Sequence, residues 1–529
     1  MWHKTLTATS VALALAVTGC GVVPLPSAAD PATRPPSAAP TPTPTPSGPA
    51  TTAPPSSAPP ATPAADSGPA LAVTHSTETP TYKIEVVGLN RVEGAHLLVR
   101  LRLSNTGEKD LPWSADLQDN FARNGAFVWA SGIGVLDAQA RRWLMPYRRG
   151  EECLCTHQDR DGLKYFIEPG ASIGVYAVVP APLGNPATAT VVTPAAPPLV
   201  NVPISDDPPA MEMPDLSGVT PVRHLVATPS EALDKSEETA DDGRQLQVSL
   251  SSDVLFAVDK ANLTGRARTV LARTAKLVDA SSGTTVEIAG HADSTGTDAI
   301  NDPLSRRRAE AVRKALAGLV SRDGLRFTAQ GYGSRRPLYS NDEEEGRRRN
   351  RRVTVTFAKP RQAAPPPTAA ASPSTSPGEA TAAAPGPTVS ARSEGQPFTA
   401  EITGLRRLPG GLGVLTYRLT NRGEREAWHH RLNWSSEWMS YRYQAASNVR
   451  LTDQAERRQY LPGRIEVAGD DGPVTYCACT EMAGVRLSTG KFAPGEAREF
   501  WSLFGLPTTA SRLTVKISDF PATEVAVTG

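Results

Sequence analysis

Two stretches of this chain repeat each other, and the segment between them resembles neither. Ile84-Glu85-Val86-Val87-Gly88-Leu89-Asn90-Arg91 aligns with Ala400-Glu401-Ile402-Thr403-Gly404-Leu405-Arg406-Arg407. Leu101-Arg102-Leu103-Ser104-Asn105-Thr106-Gly107-Glu108 aligns with Tyr417-Arg418-Leu419-Thr420-Asn421-Arg422-Gly423-Glu424. Asp137 to Leu144 matches Asp453 to Leu461 more loosely, and each copy then carries Cys-x-Cys-Thr and a late Pro-Gly turn. A match of this length points to internal duplication. Both copies alternate apolar and polar residues, as in His96-Leu97-Leu98-Val99-Arg100-Leu101-Arg102-Leu103. That period of two, cut by Asn-x-Gly and Pro-Gly turns, predicts an antiparallel β-sandwich of immunoglobulin-like type for each.

Proline marks where the chain cannot build a core. The 49 prolines of the 529 residues are clustered. The run Pro40-Thr41-Pro42-Thr43-Pro44-Thr45-Pro46 lies in a stretch of Pro, Ala, Ser and Thr from about Pro24 to Ala70. Such a segment favours extended polyproline at about 3.1 Å per residue, a reach on the order of 100 Å. Composition predicts a second linker over 205–243, acidic near its end, and a third, Pro-rich, over 360–395. The expected architecture is multidomain: a sandwich over 71–204, a central α+β domain over 244–359 and a sandwich over 396–529, joined by disordered linkers.

The first residues read as targeting rather than fold. Lys4 precedes a short apolar run from Leu6 to Val17, too short to span a bilayer comfortably. It closes on Val17-Thr18-Gly19-Cys20, which resembles the lipobox of bacterial lipoproteins. The resemblance implies a signal peptide over 1–19, acylation of Cys20 (palmitate included), a lipidated linker over 20–70, and the bilayer as a partner. It places the protein in the cell envelope. The anchor would sit in the outer leaflet of the plasma membrane in an actinobacterium, or in the outer membrane of a cell with two membranes.

The central region changes period. Val248 to Phe256 reads as a strand; Leu263, Ala267, Val270, Leu271, Thr274, Leu277 and Val278 share a helical face. Thr285 to Ala289 is a strand, and Leu304, Ala309, Val312, Leu316 and Leu319 mark a second helix. Phe327 to Gly331 and Val353 to Phe357 complete a mixed sheet with helices on one face. Within it stand Gly290-His291-Ala292-Asp293-Ser294-Thr295-Gly296 and Asn301-Asp302-Pro303-Leu304-Ser305-Arg306-Arg307-Arg308-Ala309-Glu310-Ala311-Val312. The pattern Asn-x-x-Leu-Ser-x-x-Arg-Ala-x-x-Val resembles the peptidoglycan-binding signature of OmpA C-terminal domains at every fixed position. Gly331-Tyr332-Gly333, Pro337, Asn341 and the closing Asn350-Arg351-Arg352-Val353 extend the likeness over Leu246 to Lys359.

Residue chemistry suits that resemblance. A loop carboxylate, Asp293, and a helix guanidinium, Arg308, can converge; alone, they either pair with each other or face a ligand. The diamino acid of a stem peptide carries both an ammonium and a carboxylate. A carboxylate suits the first, and the planar fork of arginine suits the second. The resemblance implies these roles for Asp293 and Arg308, diaminopimelate as the ligand moiety, and a pocket shaped by Phe256, Ala292, Asn301, Leu304 and Asn350. Ala292 stands where the family often has Thr, which removes one side-chain hydrogen bond. The basic run Arg347-Arg348-Arg349-Asn350-Arg351-Arg352 reads as a contact for anionic wall polymers, because export argues against nucleic acid.

Four cysteines remain: Cys153, Cys155, Cys477 and Cys479. Retention of a pair in each repeat favours one local disulfide per sandwich, which needs a bend in the strand. Free thiols, interdomain bridges and a redox role are the alternatives, and two thiolates with no second pair make a weak metal site. No nucleophile elbow, zinc-binding His-Glu-x-x-His or phosphate loop appears, so neither an enzyme nor a cofactor is expected. The expected function is to tether membrane to wall. The alternative is an adhesion or sensing protein whose sandwiches bind a protein partner, motivated by Trp428, Trp434, Trp438, Tyr441 and Tyr443.

Overall fold

The computed structural model describes residues 68–114, 117–119, 129–359, 386–432, 445–467, 474–480 and 491–529. Cys20, the first expected linker up to residue 67 and the third up to residue 385 lie outside the described residues, as do Trp434, Trp438, Tyr441 and Tyr443. The end of the third expected linker is instead a strand, Thr388–Ser393, held by its pairing with Gln396–Leu408 of the second repeat.

Each repeat contains an antiparallel sheet of four strands. In the first it runs Ala72–His75, Tyr82–Val92, His96–Asn105, Ser172–Pro180; in the second, Thr388–Ser393, Gln396–Leu408, Leu412–Asn421, Ala497–Gly505. Alternation decides the faces: Leu97, Val99, Leu101 and Leu103 enter the core, while Arg100 and Arg102 stay half-buried on the other side. The same irregularity recurs in both sheets, a register shift between Val86 and Gly88 and between Ile402 and Gly404. Asn105 and Asn421 also do the same work. Each side-chain amide donates to two backbone carbonyls, those of Lys109 and Ile167 or of Arg425 and Phe492. Each side-chain oxygen accepts from the glycine two residues on, Gly107 or Gly423, at 2.9 Å. The Asn-x-Gly signal is therefore a buried turn anchor. The structure joins Cys153 to Cys155 and Cys477 to Cys479, with Cα atoms 5.3 Å apart in each pair.

The central region forms a mixed sheet ordered Gln245–Ser251, Arg352–Ala358, Thr285–Gly290, Arg326–Gly331, with only the last pair parallel. Helices Gly265–Ala280 and Asp298–Ala317 pack on it through Val270, Leu271, Val278, Val312 and Leu316. Burial of such side chains contributes about 1.5–3 kcal/mol each. Thr264 caps the first helix by accepting from the Ala267 N–H. The second helix lies so close to the strand ends that a Cβ on Gly290 would sit 2.1 Å from the Ser305 carbonyl oxygen. A Cβ on Gly331 would sit 2.3 Å from the Arg306 nitrogen. Glycine at both places lets the helix reach the carboxyl ends of these strands.

Residues 205–243, expected as a linker, are ordered. Met211, Met213, Leu216 and Val219 cover Leu98, Tyr147, Leu154 and Val178 of the first repeat. The chain then forms a strand, Thr220–Ala232, and a second, Glu237–Asp241. Thr220 to Leu225 pair with Arg142–Arg149 of the first repeat. Leu225 to Ala227 and Ser230 to Ala232 pair with Gly463–Val467 and Arg458–Tyr460 of the second. Glu237–Asp241 pairs along its length with Gln245–Ser251 of the central region. Thr220–Ala232 also pairs with Glu237–Asp241, so these two strands together join all three regions in a continuous 17-stranded pairing. The polar, proline-containing sequence hid this, because its amides are satisfied by three distant partners and only Val226, fully buried, is a large apolar anchor.

Packing reinforces the pairing. Trp143 and Trp501, one from each repeat, stack with centroids 6.4 Å apart in a core that includes Val226. Arg141 donates to the Gly410 carbonyl at 3.0 Å and to the Asp241 carbonyl at 3.2 Å. Asp241 also takes Lys359 at 2.6 Å.

Candidate functional site

Strand Thr285–Gly290 ends against the helix, and the chain turns through His291 to Thr297 before helix Asp298–Ala317 begins. Backbone bonds fix that turn: the His291 N–H donates to the Arg352 carbonyl at 2.9 Å and the Ala292 N–H to the Gly333 carbonyl at 2.8 Å. Asn301, buried on the first turn of the helix, donates to the Thr295 carbonyl at 2.9 Å and the Asp293 carbonyl at 3.4 Å. Its role is to hold the loop.

Asp293 is buried, and its carboxylate is only partly occupied. Oδ1 accepts from the Thr295 N–H at 2.9 Å and from the Thr295 hydroxyl. Oδ2 accepts from Arg351 Nη1 at 2.7 Å. An ionised carboxylate offers about four lone-pair sites, which leaves one on Oδ2. Burial pushes this carboxyl up, but the Thr295 and Arg351 donors outweigh it and hold it below the ordinary carboxylate range. Asp293 therefore stays negative.

Arg308 lies about two turns beyond Asn301 on the same face of helix Asp298–Ala317. Its Nε donates to the Lys260 carbonyl at 3.0 Å, and its guanidinium carbon lies 5.2 Å from the centroid of the buried Phe256 ring. Its two terminal nitrogens make no hydrogen bond to any described residue. Burial lowers its affinity for its proton, while Asp253, Asp259 and Asp293 act the other way. Arg308 and Asp293 do not bond to each other; Arg351 is the partner of Asp293. Leu304 and Ala292 are both buried beside these groups in sequence. Asn350 is fully buried and is a scaffold: its oxygen accepts from the N–H groups of Leu338 and Tyr339, and its amide donates to the Tyr339 carbonyl and to Asn341. Asn341 in turn accepts from the Ser294 N–H at 3.2 Å.

Sequence reasoning missed Arg351 and Thr295. Arg351 also pairs with Asp253 and Glu344, both at 2.8 Å, and these carboxylates raise its pKa. The Asn-Arg-Arg-Val run carried the signal, but the basic stretch as a whole concealed it. Two arginines of that stretch face inward rather than towards a wall polymer. Arg348 and Arg349 reach Glu231 at 2.9 and 2.8 Å, Arg349 also reaches Glu238 at 3.1 Å, and the Arg349 side chain is 2% exposed. Helix Glu344–Asn350 aims these cations at the neighbouring strand pair, where buried carboxylates neutralise them.

Residues 255–351 match the OmpA family. Outer membrane porin F of Pseudomonas aeruginosa is 40% identical over 99 residues, 19% of this chain and 28% of that protein. The chain thus spans less than a third of that relative's length. Among solved structures, the cell wall anchor of the T6SS from Pseudomonas aeruginosa is 31% identical, with 24% of this chain and 90% of that one covered and a TM-score of 0.22. The peptidoglycan-associated lipoprotein from Burkholderia pseudomallei is 27% identical, with 20% and 88% covered and a TM-score of 0.18. The central region is an OmpA-like domain. Among the described residues, no helix is long and apolar enough to cross a membrane.

Proposed function

We propose that the protein is a lipid-anchored envelope protein that grips peptidoglycan non-covalently through its OmpA-like domain. The observation that carries this is the paired unmet bonding capacity at one site. Asp293 is held negative with one lone-pair site left, and Arg308 presents two terminal nitrogens on a buried aromatic platform. An ammonium fits the first and a carboxylate the second, the two charges of a diaminopimelate residue in a stem peptide. The OmpA-family match and the outer membrane relatives support the same reading. Lipid attachment rests on the lipobox-like Val17-Thr18-Gly19-Cys20, and the β repeats are read as duplicated immunoglobulin-like sandwiches. The protein acts as a binder, not as an enzyme.

The test is co-sedimentation of the full chain with purified sacculi. Wild type should pellet, and Asp293→Ala and Arg308→Ala should stay largely in the supernatant while folded. Wild-type protein left in the supernatant would end the proposal; equal retention of both variants would move the site elsewhere. Metabolic labelling with palmitate, lost in Cys20→Ala, checks the anchor.

A further inference from the structure

We propose that Arg464 and Gln459 of the second β repeat are positioning residues for the site around Asp293, so that the repeat sets how well the OmpA-like domain binds. This rests on the reading of that site as a peptidoglycan site.

The link is a continuous run of buried hydrogen bonds. Arg464 donates to Glu238 at 3.1 Å and to the Tyr339 hydroxyl, which itself donates to Glu238 at 2.6 Å. Gln459 donates to Glu231 at 2.7 Å, and Glu231 takes Arg348 and Arg349. Two guanidiniums lie against the Tyr339 ring, Arg349 at 5.0 Å and Arg464 at 5.3 Å from its centroid. Burial pushes the Glu238 carboxyl up, but Arg464 and Arg349 outweigh it and keep it ionised.

From there two routes reach the site. Tyr339 gives its N–H to Asn350 and takes the Asn350 amide on its carbonyl at 2.7 Å. Asn350 bonds Asn341, and Asn341 holds the Ser294 N–H, adjacent to Asp293. In parallel, Arg349 and Arg351 share helix Glu344–Asn350 and its C-cap, so the grip on Arg349 sets where Arg351 meets Asp293. None of Arg464, Gln459, Glu231 or Glu238 touches the ligand pocket; they act through Tyr339 and Arg349. A contiguous hydrogen-bond network of this kind is the physical route by which one site can bias another. A partner that pulls the second repeat off this network should therefore loosen the grip on the wall.

The experiment uses the full chain and a soluble muropeptide containing diaminopimelate, with binding followed by calorimetry. Arg464→Ala leaves Glu238 buried without one of its cations, so the primary variant is the double Arg464→Met/Glu238→Gln, which removes both charges. The double variant should stay folded by circular dichroism yet bind about 2- to 30-fold more weakly. The side-chain amide NMR signals of Asn341 and Asn350 should shift, and Arg464→Lys should keep part of the affinity. Wild-type affinity in the double variant, with Asp293→Ala still defective, overturns this inference alone. Failure of wild type to bind at all overturns the peptidoglycan reading and this inference with it.

Discussion

Arg351 donates to Asp293 Oδ2 at 2.7 Å, while Arg308 gives its Nε to the Lys260 carbonyl and leaves its outer nitrogens pointing elsewhere. The two arginines are therefore used differently: one holds the loop carboxylate in place and ionised, and the other has terminal nitrogens with no hydrogen bond to any described residue, the fork of the proposed site.

This division predicts a split between stability and binding. Arg351→Ala removes a donor from a carboxylate whose side chain is 5% exposed, and should destabilise the protein by about 1.5–3 kcal/mol in chemical denaturation. It should also weaken wall binding, since Asp293 loses its orientation.

Arg308→Lys should do the reverse. Charge is retained, but the planar fork over Phe256 is lost. Retention on sacculi should fall about tenfold or more, with a melting temperature near that of the wild type, since the one bond lost is to the Lys260 carbonyl.

Acidification should weaken the fold before it discharges the site. His291 is buried against Tyr332, with ring centroids 5.5 Å apart. Burial, aided by Arg352 and Arg336, pulls its pKa down to about 3. The unfolded chain therefore binds more protons between pH about 3 and 6.5, and stability falls as pH drops through that window, by at most about 1.4 kcal/mol per pH unit from this group. Glu345, held at about 2 despite burial by Arg348 and Arg349, adds a loss below about pH 4.5. Denaturation at pH 7.5, 5.5 and 4 should show the decline, and His291→Phe should flatten its upper part.

Strand Thr220–Ala232 should behave as core, not as a spacer. Its amides from Leu225 to Ala232 should be among the slower to exchange with deuterium, and proteases should spare 205–243. Val226→Asp places a charge at a fully buried position in the core shared by the two repeats. It should cost several kcal/mol, about 3–5, and expose the strand to cleavage.

Each Cys-x-Cys pair should resist alkylation until reduced. Intact mass after alkylation of the unreduced chain should show no label on Cys153, Cys155, Cys477 or Cys479. Labelling of all four would remove the disulfides.

Local patterning was enough for the elements that position the site. The apolar period placed helices within a few residues of Gly265–Ala280 and Asp298–Ala317, and alternation placed strands Thr285–Gly290 and Arg326–Gly331. Asp293 and Arg308 were singled out by the resemblance of their motif to OmpA C-terminal domains, with one on the loop after a strand and the other on the following helix. The repeat was legible for the same reason, down to Asn105 and Asn421.

What the sequence could not show depends on partners far apart along the chain. The strand Thr220–Ala232 has little apolar periodicity of its own; it is a strand because residues 142–149, 458–467 and 237–241 supply its hydrogen bonds. The arginines from Arg347 to Arg352 read as a basic contact for anionic wall polymers, and only the docking of Glu231, Glu238 and Asp253 turned three of them into buried or half-buried pairs. Charge and composition are properties of a segment, but the partner of a charge is a property of the fold. So the sequence by itself determined the OmpA-like domain and its motif, and the tertiary structure decided which arginine holds Asp293 and that the second repeat stands against the same network.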